Sequence, residues 1–158
     1  MLRRCSWFAA ALVAALGGAL AAQGGRPLRV DGVRELSFGT VLPGIPRQVL
    51  RTDPVASGEF QIRGEKFNPV ELTFALPTLM TGPAGASMPV LFGGNDAGYS
   101  VTQSIASQVG FDPSQPFQSQ LDKDGRASVF LGGTANPMAS QRSGSYSGTV
   151  TLTVAYLP

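Results

Sequence analysis

Tyr146-Ser147-Gly148-Thr149-Val150-Thr151-Leu152-Thr153-Val154-Ala155-Tyr156 is the stretch that decides the fold. Its even positions are Tyr, Gly, Val, Leu, Val and Tyr, and its odd positions are Ser, Thr, Thr, Thr and Ala. Successive side chains of a strand point to opposite faces, so this period of two gives one apolar and one Thr-rich face. The spacing predicts a half-buried strand from Tyr146 onward.

Shorter runs of the same kind lie upstream. Leu36, Phe38 and Val41 form one that stops at Pro43-Gly44, and Val49 to Thr52 form another that stops before Asp53-Pro54. Phe60 and Ile62 alternate with Glu59, Gln61 and Arg63, and Leu72, Phe74 and Leu76 with Glu71, Thr73 and Ala75 up to Pro77. Val90 to Phe92 closes at Gly93-Gly94, and Asp124-Gly125 turns into Ala127 to Leu131 before Gly132-Gly133. No dozen residues sustain a helical period free of Gly and Pro. Seven or eight short strands in one domain predict an all-β, single antiparallel immunoglobulin-like or pilin-like sandwich. Thr81 to Ser87 reads as a loop, and polar Ser104 to Gln120 as a segment with room for one short helical turn.

The N-terminus reads differently. Arg3 and Arg4 precede an apolar run from Trp7 to Leu16, and small residues follow at Ala19, Ala21 and Ala22. That is the pattern of a secretory signal peptide over residues 1–22, too short to span a bilayer, which takes roughly 20 apolar residues. The sandwich is then expected over 23–158, exported to the periplasm, outer surface or exterior, with no stable membrane span after cleavage. Removing Arg3 and Arg4 from the twelve basic residues leaves ten against ten acidic ones, so no basic field for nucleic acid remains. Cleavage also removes Cys5 and Trp7, the chain's single Cys and single Trp.

The chain has no His. Ser-His-Asp and Cys-His nucleophilic sites and the usual zinc sites therefore have no residues to build them. Lys66 and Lys123 sit among acidic residues in turn-like sequence. Glu59 and Glu71 occupy polar strand positions and read as a solvated face rather than as a glycosidase pair. Asp122-Lys123-Asp124-Gly125 departs from the calcium-loop pattern, which needs Gly at its sixth position, and reads as a β-turn. Asn95-Asp96-Ala97-Gly98 is read the same way. No catalytic, cofactor or metal residue is expected, and the chain is read as non-catalytic.

Several pieces together resemble a family. These are Leu36-Ser37-Phe38-Gly39-Thr40-Val41 with Pro43-Gly44, the run Gly58 to Gly64, and Leu76-Pro77. Val129 to Thr134 follows, and Gly144-Ser145-Tyr146-Ser147-Gly148-Thr149 leads into Val154-Ala155-Tyr156. In order and spacing they resemble the secreted bacterial domains grouped as domain of unknown function 4402. The resemblance implies a Gram-negative exported β-sandwich similar to pilus subunits and spore-coat-U-like proteins. Chaperone–usher fimbrial subunits end in a strand with a near-terminal Tyr and a Gly twelve residues before it, a spacing that Tyr156 and Gly144 share. Tyr156 is third from the end rather than penultimate, and the usual subunit disulfide has no counterpart.

Two functions are expected on these grounds. The first is a structural or adhesive cell-envelope protein that self-assembles, or joins other surface subunits, by strand addition in a pilus-subunit-like way. Leu28, Val30 and Gly32, alternating with Arg29, Asp31 and Val33 behind Gln23-Gly24-Gly25, are the candidate strand-addition segment, or else a frayed N-terminus or the domain's own first strand. The second is a monomeric glycan- or envelope-binding module, with Phe111 and Phe117 as candidate ligand-facing loop aromatics, or else as residues that hold a long loop on the sandwich edge.

Overall fold

The computed structural model describes residues 25–158, so the expected signal segment lies outside the described residues. Those residues form an all-β sandwich of antiparallel, unclosed sheets. β1 (Arg29–Arg34), β3 (Gly58–Arg63), β10 (Arg126–Leu131), β7 (Ala97–Ser100) and β8 (Val109–Phe111) make a five-stranded sheet in the order β1-β3-β10-β7-β8. β12 (Thr151–Tyr156), β4 (Pro69–Ala75) and β9 (Phe117–Gln120) make a three-stranded sheet, β12-β4-β9. β2 (Arg47–Val49), β11 (Gly133–Ala135), β6 (Ser87–Leu91) and β5 (Leu79–Thr81) make a third, β2-β11-β6-β5. Twelve segments stand where seven or eight strands are expected, because β2, β5, β8 and β11 are only three residues long.

The main core lies between the five- and three-stranded sheets. Ile62, Ala127, Val129 and Leu131 come from one side, and Val70, Leu72 and Leu152 from the other. Burying such side chains stabilises a fold by about 1.5–3 kcal/mol each. A second cluster, Met80, Met88, Val90 and Ala135, lies under the four-stranded sheet, with Phe38, Val41, Phe92 and Tyr146 packed against it. The chain passes between sheets at Gly132, the single residue separating β10 from β11. A Cβ there would overlap the Val49 carbonyl, so only glycine fits.

The strand expected from Tyr146 begins later, at Thr151. Its alternation holds from there, with Leu152 buried and Thr151, Thr153 and Ala155 exposed. Upstream, Ser147 forms only an isolated bridge with Thr81. The cause is Pro77, which has no N–H to donate to a ladder. Gly148 passes directly over its ring. Five residues intervene between Ala75 and Thr81, against three between Ser147 and Thr151. The partner chains thus slip past each other where the ladder is broken.

Leu36 to Val41 is a second departure. Leu36 and Phe38 are half-buried and Glu35, Ser37 and Gly39 exposed, but the segment belongs to no ladder, and Gly39, at φ +61°, bends it.

Leu72 is fully buried at the centre of β4, between β12 and β9. Leu72→Ala should lower unfolding stability by about 2–5 kcal/mol. Urea denaturation followed by tyrosine fluorescence measures this; a change within about 0.5 kcal/mol, the range of ordinary surface substitutions, would contradict the core described above.

Candidate functional site

The two main sheets close at one end. The Tyr156 hydroxyl accepts from the Glu65 amide at 2.7 Å and donates to the Arg26 carbonyl at 2.8 Å. The Arg26 amide donates to the Glu65 carboxylate at 2.8 Å, and Leu28 packs beside Tyr156 over Gly64. This joins the start of β1 to the end of β12. Away from this point the chain leaving β1 and the chain entering β12 line opposite sides of a groove of about 1130 Å³.

The near wall is residues 32–41 and the far wall residues 141–150. The floor is apolar: Phe60, Leu131 and Phe92 from the main core, and Met80, Met88 and Val90 from the second cluster. Both walls carry free backbone. Among the described residues, the amides of Phe38 to Leu42 and of Gly148 to Val150 donate to no other backbone group. An extended chain lying between them would find donors and acceptors on both sides and an apolar surface beneath.

Local chemistry sets the near wall. β1 pairs with β3 from Arg29↔Arg63 to Gly32↔Phe60, and a bulge at Val33 then re-aims Arg34. Its guanidinium bonds the Ser57 carbonyl at 2.6 Å and lies 3.3 Å from the Glu59 carboxylate. Asp53 organises the adjoining turn, accepting from the amides of Val55 and Ala56 at 2.9 and 2.8 Å. These bonds hold its carboxyl below the usual range. The Ala56 carbonyl then receives the Ser37 amide, where the paired part of the wall ends.

Leu28 and Val30 face the core, half-buried, and Gly32 is exposed. The segment they belong to is paired in its own molecule, as the edge strand of the five-stranded sheet. In its own molecule it is thus the domain's first strand.

Of the two readings of the loop aromatics, their surroundings match the packing one. Phe111 is buried in the main core, and its ring stacks on Phe117 with centroids 4.1 Å apart and planes at 14°. Phe74 covers Phe111 further along, and Tyr99 lies against Phe117. Phe111 is stacked on Phe74 and Phe117, and the half-buried Phe117 has one face on Phe111, so the pair joins β8 to β9.

Glu59 and Glu71 lie in different sheets. Glu59 pairs with Arg34, and Glu71 accepts from the Gln118 amide at 2.9 Å. Asp122 caps its own turn, accepting from the amides of Asp124 and Arg126 at 2.8 and 2.7 Å. Lys123 pairs with Asp124 at 2.8 Å, and Gly125 takes the positive φ that the turn requires.

Fold and groove together define an open all-β sandwich with two largely unpaired walls at one side. The chain belongs to the family described as Domain of unknown function (DUF4402), which matches residues 46–156. β1 and the near wall precede the matched span; the far wall lies within it. No curated protein matches the chain. Among the described residues, no helix is long and apolar enough to cross a membrane.

Tyr99 offers a titration test of this core. It is nearly fully buried, its hydroxyl donates to the Gln120 carbonyl at 2.9 Å, and burial pushes its pKa from 10.0 up to about 12. A raised folded pKa contributes stability that is complete below the unfolded value and lost as pH rises towards the folded one. Between pH about 10 and about 12 the wild type should lose stability more steeply than Tyr99→Phe. Parallel slopes in urea titrations across that window would contradict the assignment.

Proposed function

We propose that this is an exported, non-catalytic structural or adhesive surface protein that assembles by accepting an extended strand from a neighbouring copy. The open groove carries this reading. A strand needs backbone partners at its edges and an apolar bed for alternate side chains, and residues 35–43 and 143–150 offer both. The volume, about 1130 Å³, exceeds the roughly 300–1,000 Å³ of ordinary small-molecule pockets, and its walls run along the chain rather than converging on polar groups.

The export pattern at residues 1–22, the family match and the Gly144–Tyr156 spacing support the same reading. The donor it names is Leu28 to Val33 of the neighbouring copy, an edge segment that must first leave its own ladder with β3. The other function, a monomeric glycan- or envelope-binding module, relied on Phe111 and Phe117, which stack on each other.

Thr40 and Thr149 are exposed, one on each wall. Replacing either by Pro removes a wall amide without touching the core. The chain from Gln23 onward should self-associate on light scattering as concentration rises. Thr40→Pro and Thr149→Pro should each weaken association by about tenfold, the equivalent of roughly one hydrogen bond. A parent chain that stays monomeric at high micromolar concentration would overturn self-assembly.

A further inference from the structure

The two walls of the groove are held in different ways. The near wall grows directly out of β1 and its ladder with β3. The far wall hangs on little. Among the described residues, the only backbone bonds of Arg142 to Val150 are the reciprocal pair between Ser147 and Thr81, at 2.8 and 3.0 Å.

Val150, next to β12, packs on the main core, and Gly148 lies against Pro77; further along, the main attachment is Tyr146. This half-buried ring lies flat on Gly82, so closely that a Cβ on Gly82 would overlap it, and it packs against the Met80–Met88 cluster. The hydroxyl accepts from Gln141 Nε2 at 2.7 Å and donates to the Arg142 carbonyl at 2.7 Å. Gln141 Nε2 also donates to the Ser87 carbonyl at 3.0 Å, tying the same turn to β6. Gly144 sits against the Pro83 ring at φ +145°, a conformation that side chains resist.

We infer that residues 141–150 form a hinged strap, latched shut by the Tyr146 ring on Gly82. Its release uncovers the part of the Met80–Met88 cluster under the Tyr146 ring and widens the groove on its far side. The anchor at the other end of this segment is secure, because β12 is paired with β4 along its whole length. Opening therefore stops at Thr151. Segments with few buried contacts and few backbone bonds open locally, without global unfolding. The use of the latch in assembly rests on the strand-accepting function proposed above; the latch itself is a property of the strap.

The test is hydrogen exchange by mass spectrometry on the chain from Gln23 onward, which contains every residue of the described core. Gly82→Ala, which pushes the ring off its seat, and Tyr146→Ala should each speed exchange in 141–150 by about tenfold or more, leaving β4 and β10 protected. Tyr146→Phe keeps the ring and loses both hydroxyl bonds, so its exchange should fall between wild type and Tyr146→Ala. Binding of the apolar dye ANS should rise in the same order. Unchanged exchange in the strap, or a loss spread evenly over β4 and β10, overturns the latch. Light scattering on the same samples keeps the two questions apart. Faster strap exchange establishes the latch whether or not association changes, and absence of association counts against strand acceptance alone.

Discussion

Tyr156 reaches from the end of β12 to the start of β1, and its hydroxyl is shared between the Glu65 amide and the Arg26 carbonyl. Each bond contributes on the order of 1 kcal/mol. Their position matters more than their strength. They fix two sheet edges together at one end, where Leu28 and Leu121 fill the space around Gly64. Beyond that point the edges have no partner between them, and the groove follows. The wide end is maintained from both directions: the Val33 bulge and the Arg34–Glu59 pair hold the near wall on β3, while Pro77 keeps residues 148–150 out of the ladder.

Much of the fold was legible in the sequence, and the gaps have physical causes. The faces of β3, β4 and β12 could be read because each has one wet side, so alternation survives in the residue types. β7 could not, since all four of its residues are buried. The outer face of its sheet is covered by the loop after it, where Ser100 bonds Thr102 and Ser107 and where Gln103 and Ile105 lie beside Phe130. A strand buried on both sides has no period to detect. Leu36 to Val41 shows the converse. Its alternation is real, but alternation reports which side faces the core and says nothing about whether an edge is paired.

The groove was less legible than the fold. Its walls lie about a hundred positions apart in the chain, and no local pattern relates them. The alternation of Leu28 and Val30 with Arg29 and Asp31 is visible in the sequence, whereas their partner β3 is visible only in three dimensions. Phe111 and Phe117 looked available because prolines flank them; their stacking depends on two strands from different sheets meeting at their ends. With no His in the chain, the groove offers backbone amides and carbonyls, an apolar floor, and the side chains of Arg34, Glu35 and Arg142 as its means of recognition. Such a surface distinguishes partners by shape and register.

The bond between Arg26 and Tyr156 spans 130 positions. Contacts of that separation close late, because the loop between them must be ordered or searched before they form. In a chain that emerges N-terminal end first, β1 and β3 are complete long before Tyr156 exists to meet them. Until then the start of β1 is held by its ladder with β3 alone. The placing of one tyrosine thus makes the joined end of the sandwich the last part of it to close.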